Sequence, residues 1–318
     1  MPNVRRAVID VGTNSVKLLV ADVAGRHIEP LLEDSRQTRL GKGFYEAHRL
    51  LPVAIAQTTL AVGEFSRAAK KLGAISLRVF ATSAARDAQN ADELAAAMEK
   101  ACGTKLQVIS GEQEAEWAFR GAMTSPKLAR EPVLLLDVGG GSTQFILGQD
   151  DQIHFRHSFP LGAVRLMEKF PHSDPPQPGE LAACRDWVRK FLDAKVRETF
   201  EPALQREVKQ HAQHHSVRLV GVGGTATALA RIENSQDDYE RERIEATRLS
   251  ARRIREWVER LWGLSLSERR QIKGLPRERA DVMLTGVLIY EAVMETFEFG
   301  ELRVSTRGLR FAAVMDEA

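Results

Sequence analysis

The sequence predicts an α/β protein made of two similar halves. A turn motif occurs twice: residues 10–15 (DVGTNS) align without gaps with residues 137–142 (DVGGGS). An apolar, strand-like run precedes each copy and another follows it. Strand-length and helix-length apolar patterns are mixed along the whole chain, which is typical of the α/β class. Because the copies lie one domain length apart, we expect a duplicated fold with two lobes and an interlobe cleft.

Length, composition and charge fit this organisation. A chain of 318 residues exceeds one ordinary domain, and 43% hydrophobic with 28% charged residues is usual for a globular protein. The formal net charge of +2 provides no basic field for specific nucleic-acid binding. Only two cysteines occur, and neither a signal-peptide run nor a membrane-spanning apolar run is present. We therefore expect a cytoplasmic protein that does not associate with membranes.

Apolar spacing and Gly/Pro punctuation predict the individual elements. In the first half, strands are expected at residues 4–10, 15–22, 26–39, 76–81 and 106–109, with helices at 52–72, 91–101 and 112–123. In the second half, strands are expected at 133–137, 143–147, 217–220 and 302–305, with helices at 180–207, from 225, and at 251–262, 276–297 and 308–315. The polar segment 124–132 predicts domains at 1–124 and 125–318, with return of the last helix to the first lobe as an alternative.

The repeated turns have the composition of phosphate-binding loops. Glycines let the backbone approach a ligand closely, and successive N–H groups form an anion-binding concavity. Asp10 and Asp137, at the strand ends, are placed to hold a hydrated Mg²⁺ that neutralises phosphate charge. The alternative is an ordinary hairpin turn, in which Asp and Gly are common. The predicted phosphate-binding residues here are Gly12, Thr13, Asn14, Ser15, Gly139, Gly140, Gly141, Ser142 and Thr143.

Two further segments are candidates for binding phosphate. Arg86 follows a run of small residues, and its guanidinium could bind two phosphate oxygens at once; a surface ion pair with Asp87 is the alternative. A glycine-rich segment follows an apolar strand at residues 217–220, and its candidates are Gly223, Gly224 and Thr225. The same glycines fit a dinucleotide-binding fingerprint only weakly, because they lie late in the chain and no clear acidic residue at a strand end follows at the ribose spacing.

Three glutamates compete for the role of a general base. Hydrolysis of a terminal phosphate requires a positioned water and a group that accepts its proton. Glu112, Glu114 and Glu116 lie at the start of one predicted helix, where acidic residues also simply favour the positive helix end. Asp281, in the helix predicted at residues 276–297, could face the cleft, or its carboxylate could simply favour the positive end of that helix.

Seven segments, in order along the chain, resemble those of one family. They are residues 9–15 (IDVGTNS), 81–87 (ATSAARD), 109–115 (ISGEQEA), 136–143 (LDVGGGST), 221–225 (GVGGT), 279–282 (RADV) and 305–309 (STRGL). Together they resemble the exopolyphosphatase/guanosine pentaphosphate phosphohydrolase (Ppx/GppA) family in its short, two-domain form.

This resemblance implies a duplicated actin-like fold, as in sugar kinases, Hsp70 and actin, with ribonuclease H-like lobes. It further implies a Mg²⁺-dependent hydrolase that releases terminal phosphate from polyphosphate or guanosine pentaphosphate, with Glu114 as the base, and homodimers are common in the family. The rival predictions are a kinase of the same fold, an actin-like polymer, and a regulator that binds polyphosphate or a nucleotide without turnover. The motif at Glu114 disfavours the last two, since a binding protein needs no base.

Overall fold

The computed structural model describes residues 3–128, 130–211 and 217–316. Its backbone divides into a first unit of Met1–Ser125 with Arg307–Ala318 and a second unit of Pro126–Thr306. The sequence-based division lay between residues 124 and 125, and the structure divides the chain one residue later. The last helix belongs to the first unit. No helix in the described part of the chain is long and apolar enough to cross a membrane.

The first unit contains a five-stranded sheet in the order β3-β2-β1-β4-β5. Strands β1 to β3 form an antiparallel meander, whereas β4 and β5 run parallel to β1. The strands are β1 Val4–Val11, β2 Val16–Ala24, β3 His27–Arg36, β4 Ser76–Ala81 and β5 Leu106–Val108. The helices are α1 Phe44–Ala47, α2 Pro52–Lys71, α3 Ser83–Arg86, α4 Ala91–Cys102, α5 Gly111–Ala122 and, from the chain end, α14 Leu309–Met315.

Helices cover both faces of this sheet, which explains why its central strands are apolar on both sides. Ile9 and Val11 of β1 pack into the core formed with α2 and α4. Phe80 of β4 points to the other face and contacts Trp117 of α5, with ring centroids 5.2 Å apart. On that face α5 approaches α14 so closely that a Cβ at Gly121 would lie 2.0 Å from the Gly308 carbonyl oxygen. This contact explains why the last helix belongs to the first unit.

The second unit contains a six-stranded sheet in the order β10-β11-β9-β6-β7-β8. The strands are β6 Val133–Val138, β7 Thr143–Gln149, β8 Gln152–Phe159, β9 Arg218–Val222, β10 Arg248–Ser250 and β11 Glu301–Val304. The helices are α6 Ala163–Lys169, α7 Pro178–Phe191, α8 Arg197–His211, α9 Gly223–Glu233, α10 Arg241–Ala246, α11 Ala251–Trp262, α12 Leu266–Arg269 and α13 Met283–Thr296. The core lies around α13, a helix that is apolar on every side.

The two sheets repeat one topology. Strands β6, β7 and β8 form a meander like that of β1 to β3, and β9 and β11 run parallel to β6 as β4 and β5 run parallel to β1. Strand β10 is an addition at the edge of the second sheet. The predicted duplicated α/β fold is therefore confirmed.

Several predicted elements differ in detail. The helix expected at residues 180–207 consists of α7 and α8 joined by one π-helical turn at Leu192–Val196, because the sequence keeps helical periodicity through the distortion. The helix expected at residues 276–297 begins at Met283, after a 3₁₀ turn at Arg277–Arg279. Asp281 therefore precedes the helix, and its Oδ1 accepts a hydrogen bond from the Val282 amide instead (2.9 Å).

The sequence analysis also missed the strands β8 and β10 and the short helices α1, α3, α6, α10 and α12. Strand β8 lies at the sheet edge and is largely exposed, so it lacks the apolar alternation that predicts a strand. Helix α6 has seven residues and β10 has three, which is too short for a periodic pattern to be recognised.

Candidate functional site

In the first unit, the candidate residues lie where the three parallel strands end. Val11, Ala81 and Val108 are neighbours across β1, β4 and β5, so the segments that follow these strands emerge at one edge of the sheet. Those segments are residues 12–15, called the first turn, α3 with Arg86, and α5 with Glu114. Ligands of open α/β sheets commonly bind at this carboxyl edge. The fold thus gathers at one edge three segments that are far apart in sequence.

The backbone of the first turn is fixed by hydrogen bonds to its carbonyl groups. The Gly12 amide donates to the Ser15 carbonyl (3.0 Å), and the amides of Gly41 and Arg39 donate to the carbonyls of Thr13 (2.8 Å) and Asn14 (3.0 Å). In a trans peptide the N–H group points away from its carbonyl partner. The N–H groups of Asn14 and Ser15 therefore point away from residues 39–41, as an anion-binding turn requires.

Arg86 and Glu114 are in direct contact. Arg86 Nη1 donates to Glu114 Oε2 (3.2 Å) and to the carbonyl of Ile109 (3.0 Å), while its Nε lies 4.0 Å from Asp87 Oδ1. The Glu114 side chain is 10% exposed and the Arg86 side chain 24% exposed. The ion pair with Asp87, which was the alternative prediction for Arg86, is thus present only at 4.0 Å, the longest distance of an ion pair. The main partner of Arg86 is Glu114.

Of the three competing glutamates, Glu114 is the buried one. Ser110 caps α5 by accepting a hydrogen bond from the Gln113 amide (3.1 Å), which starts the helix just before the acidic residues. Glu112 is exposed, and Glu116 is partly buried, with its Oε1 3.9 Å from Arg120 Nη1 on the same helix. Burial and the contact with Arg86 distinguish Glu114 from its neighbours.

Asp10 is buried at the end of β1. Lys17 lies opposite it on β2, and Lys17 Nζ is 3.8 Å from Asp10 Oδ2. Burial raises the pKa of the Asp10 carboxyl, although the positive charges of Lys17 and Arg310 oppose that effect. A cation at Asp10 would therefore share the carboxylate with an ammonium group that is already present. This arrangement makes Asp10 the weaker of the two predicted metal ligands.

The second turn, residues 139–142, has the same closing hydrogen bond, from the Gly139 amide to the Ser142 carbonyl (3.0 Å). Helix α6 holds its carbonyl groups: the Ala163 amide donates to Gly139 (2.9 Å), the Val164 amide to Gly140 (2.8 Å) and Arg165 Nε to Gly141 (2.9 Å). By the same peptide geometry, the N–H groups of Gly140, Gly141 and Ser142 point away from α6. Three successive N–H groups with one orientation form a concavity for an anion.

The hydroxyl groups near the second turn fall into two kinds. Thr143 donates to the Leu161 carbonyl and Thr225 donates to the Val138 carbonyl (3.0 Å), so each uses its only hydroxyl proton within the fold. The Ser142 hydroxyl instead accepts a hydrogen bond from Gln144 Nε2 (2.9 Å) and keeps its proton for another acceptor. As donors to phosphate, Thr143 and Thr225 are less suitable than the sequence analysis expected.

Gly223 and Gly224 lie against two charged side chains at the start of α9. A Cβ at Gly223, whose φ is +80°, would lie 2.3 Å from Asp137 Oδ1, and a Cβ at Gly224 would lie 2.3 Å from Arg279 Nη1. Only glycine leaves room here for both groups. Burial lowers the pKa of Arg279 to about 10, although Asp281 opposes that effect.

Arg279 is the residue whose importance the sequence analysis missed. The segment 279–282 was recognised as part of the family resemblance, but no role was assigned to its arginine. The structure places this guanidinium at the N-terminus of an 11-residue helix, where backbone N–H groups also favour an anion. The signal available in the sequence was an arginine inside a recognised motif.

The donor set fits a magnesium ion that is bound mainly through its substrate. Among the described residues, no three His, Cys, Asp or Glu side chains form a cluster that could hold a metal ion. Magnesium commonly binds through one or two carboxylates together with substrate phosphates and water. The residue opposite Asp10 across its strand pair is Lys17, whereas the residue opposite Asp137 is Gln144.

Comparison with known proteins gives consistent results. Residues 19–318 match the model of the Ppx/GppA phosphatase family. The chain is 35% identical over 299 residues to exopolyphosphatase 2 of Mycobacterium tuberculosis, covering 90% of this chain and 89% of that protein. It is 28% identical over 312 residues to exopolyphosphatase 1 of the same organism, covering 98% and 87% of the two chains.

Solved structures show the same similarity. A Ppx/GppA enzyme of Aquifex aeolicus superposes with a TM-score of 0.76 at 29% identity, covering 99% of this chain and all of that one. An exopolyphosphatase of Cytophaga hutchinsonii superposes with a TM-score of 0.82 at 26% identity, covering 97% and 96%. The actin-like fold implied by the sequence motifs is therefore shared with these proteins.

Proposed function

Because this chain belongs to the Ppx/GppA phosphatase family, we propose that it is an exopolyphosphatase that releases terminal phosphate from inorganic polyphosphate. The observation that carries the proposal is the contact between Glu114 and Arg86 at the sheet edge where the first turn also lies. A carboxylate beside a phosphate-binding group is what water attack on phosphorus requires. The names of the relatives support polyphosphate as the substrate.

In this proposal the substrate is held through its phosphate oxygens. In the first unit the proposed phosphate-binding groups are the outward N–H groups of the first turn and Arg86, which binds the terminal phosphate. In the second unit they are the outward N–H groups of the second turn, the Ser142 hydroxyl, and Arg279 with the N-terminus of α9. Thr13, Asn14 and Ser15 contribute mainly through the backbone, and Thr143 and Thr225 stabilise the second turn.

Glu114 is the proposed general base. A water oxygen forms a bond to the terminal phosphorus while the bridging P–O bond breaks on the opposite side. One water proton passes to the Glu114 carboxylate, and the electron pair of the broken bond stays on the bridging oxygen of the shortened chain. The products are orthophosphate and a polyphosphate that is shorter by one phosphate.

Magnesium, when bound with the substrate, neutralises part of the phosphate charge. Asp137 is the proposed main ligand, and Asp10 would take part only by sharing its carboxylate with Lys17. Gly223 leaves space beside Asp137 Oδ1, where an added Cβ would otherwise lie. We also propose a cytoplasmic location, since Cys102 and Cys184 are buried free thiols, as is usual in a reducing compartment.

Guanosine pentaphosphate is the alternative substrate, and it is supported by the sequence motifs. The same groups would bind its terminal phosphate, so the two substrates differ only beyond the first few phosphates, where one continues as a phosphate chain and the other carries a nucleoside. Its hydrolysis would leave the nucleotide shorter by one phosphate and release orthophosphate by the same water attack.

The test is phosphate release with Mg²⁺ from long polyphosphate, short polyphosphate and guanosine pentaphosphate, each also measured with a chelator. We expect release from polyphosphate that stops when the metal is removed. Release from guanosine pentaphosphate at a higher kcat/KM would replace polyphosphate as the substrate. A folded protein that releases no phosphate from any of the three would contradict the proposal.

A further inference from the structure

The guanidinium of Arg86 is held by one of its edges. Among the described residues, both of its hydrogen bonds leave from Nη1, to the carbonyl of Ile109 (3.0 Å) and to Glu114 Oε2 (3.2 Å). The Ile109 carbonyl is itself a firm anchor, because the Ile109 amide donates to Ala81 at the end of β4 (3.0 Å). The orientation of Arg86 is thus fixed by the sheet edge and by the proposed base together.

A guanidinium is planar and carries five donor hydrogens around its rim, so one edge can bind a carboxylate while another binds a phosphate. In Arg86 the Nη2 and Nε atoms are on the edges that do not contact Glu114. Exchange of partners is therefore not needed when a phosphate arrives. The Arg86 side chain is 24% exposed, which leaves it accessible to a ligand.

We propose that Arg86, besides binding the terminal phosphate, is a positioning residue for Glu114. The inference rests on the proposed function. One rigid guanidinium then binds the base through Nη1 and the phosphate through its other nitrogen atoms. The distance between the Glu114 carboxylate and the phosphorus is therefore set by a single planar group. The attacking water occupies that separation, and correct positioning of this kind is a large part of catalysis.

A purely structural role for the pair predicts a different behaviour. If the pair only stabilised the fold, removal of one partner would lower the free energy of unfolding and leave the turnover of the folded protein unchanged. An Arg86 that only binds phosphate would act independently of Glu114, and the two losses in kcat would multiply. If Arg86 acts through Glu114, the two losses in kcat overlap. In E114Q the base is already lost, so removal of Arg86 has no further effect on its position.

The experiment is a double-mutant cycle on polyphosphate hydrolysis with R86G, E114Q and R86G/E114Q. We expect kcat to fall by about 10² to 10⁴-fold in E114Q, as removal of a general base does, and to fall no further in the double variant. KM should rise in both variants that lack Arg86 and stay near the wild-type value in E114Q. Multiplying losses in kcat would overturn the inference and leave the proposed function intact.

Chemical rescue supplies a readout that a structural role would not change. Free guanidinium ion should restore kcat of R86G by about tenfold or more, because it occupies the vacated position, though with less orientation than a tethered group. It should not raise kcat of the double variant. Rescue of both variants alike would show that the guanidinium acts without Glu114 and would overturn the inference.

R86K keeps the measurement informative if R86G folds poorly. A lysine keeps the charge but is a point donor, so it can bind phosphate without fixing two groups in one plane. We expect a KM near the wild-type value and a kcat lowered by about tenfold or more, whereas a wild-type kcat would contradict the positioning role. The matched control is another arginine–glutamate pair at the same distance, Arg49 with Glu93 (3.2 Å); R49G, E93Q and their combination should leave kcat and KM unchanged.

Failure of the inference and failure of the proposed function give different results. If the wild-type protein releases no phosphate, or if E114Q has the wild-type kcat, the proposed function or its base is wrong. If E114Q is impaired but its loss multiplies with that of R86G, only the positioning role is wrong.

Discussion

The first and second turns are built alike but have different surroundings. Each closes with a hydrogen bond of 3.0 Å from its first amide to its last carbonyl, and each has its carbonyls held by the segment that follows the third strand of its meander. A glycine of that segment, Gly41 or Gly162, stands directly against the second residue of the turn, Thr13 or Gly140. The backbone of the turn has thus been duplicated in detail.

The side chains beside the two turns have not been duplicated. Opposite Asp10 on the neighbouring strand lies Lys17, which forms an ion pair with it, whereas Gln144 lies opposite Asp137. Gln144 is buried, and its Nε2 bridges the hydroxyls of Ser142 (2.9 Å) and Ser158 (3.0 Å). The residue opposite the strand-end aspartate is therefore a lysine beside the first turn and a glutamine beside the second.

The largest difference lies after the last parallel strand of each sheet. In the first unit β5 leads into α5, which carries Glu114, whereas β11 leads through Ser305 and Thr306 into α14 of the first unit. Strand β11 is thus not followed by a counterpart of the contact between Glu114 and Arg86. The comparison teaches that the turn was duplicated without the segment that carries the proposed base, Glu114.

The largest effect that tests this asymmetry is expected from the two aspartates. D137N should lower kcat/KM for polyphosphate by about 100-fold or more, because a metal ligand that contributes several kcal/mol is lost. D10N should lower it by about tenfold or less, since Asp10 already shares its charge with Lys17. Phosphate release measured over a range of Mg²⁺ concentrations checks this, and an equal or larger loss in D10N would reverse the assignment.

The two close glycine contacts should differ in their tolerance of a methyl group. At Gly162 an added Cβ would lie 2.5 Å from the Gly140 carbonyl oxygen, so the second turn itself must shift; at Gly41 it would meet the Thr13 side chain. We expect G162A to raise KM by about tenfold and to destabilise the protein by about 1–3 kcal/mol, with a smaller effect in G41A.

Steady-state kinetics and urea unfolding measure both effects. G179A is the matched control, since nothing lies within 4 Å of a Cβ at Gly179. If G41A is the more harmful variant, then the two turns are not held in the way described.

A smaller effect separates the two kinds of hydroxyl at the second turn. S142A should lower kcat/KM several-fold, because a donor to phosphate is lost. T225V should leave kcat/KM unchanged and reduce the free energy of unfolding by about 1 kcal/mol, the usual value of one buried hydrogen bond. A T225V protein that is stable but weak in binding polyphosphate would restore Thr225 as a phosphate ligand.

The smallest effect concerns pH and the burial of Asp10. Burial raises the pKa of its carboxyl in the folded protein, so the folded state binds this proton more tightly than the unfolded state does. The protonated Asp10 carboxyl therefore adds to the free energy of unfolding at pH values below its ordinary pKa, near 4. This contribution is lost as the pH rises through the raised pKa of the folded state.

D10N has no such proton and should gain stability relative to the wild type over that range, by at most about 1.4 kcal/mol per pH unit. Urea unfolding of both proteins between about pH 4 and 7, without Mg²⁺, measures the difference. A stability difference that does not change with pH would mean that the pKa of Asp10 is ordinary.

The duplicated turns could be predicted from sequence because their chemistry is local. Glycines, a strand-end aspartate and flanking apolar runs lie within a few residues of one another, and they identified both the duplication and the fold. The edges of the fold were harder to predict. Strand β8 is exposed and lacks the alternation of apolar and polar residues, and α6 is short. Helix α6 is nevertheless the helix that binds the carbonyl groups of the second turn.

The surroundings of the turns were not visible in the sequence, because they depend on contacts between distant residues. Arg279 reaches Gly224, and Thr225 bonds to Val138, only because the strands of the second sheet bring these segments together. A hydroxyl that binds phosphate and one that binds a backbone carbonyl look alike in a sequence. The same holds for Glu112, Glu114 and Glu116, which burial and the contact with Arg86 separate.

The central claim, that the turn is duplicated while the proposed base Glu114 has no repeated counterpart, is tested most directly by measuring binding and turnover of polyphosphate in E114Q, with E112Q and E116Q as controls on the same helix. The account predicts that E114Q binds polyphosphate with nearly the wild-type Kd and loses about 10² to 10⁴-fold in kcat, while both controls keep wild-type turnover. Wild-type turnover in E114Q, or an equal loss in a control variant, would contradict it.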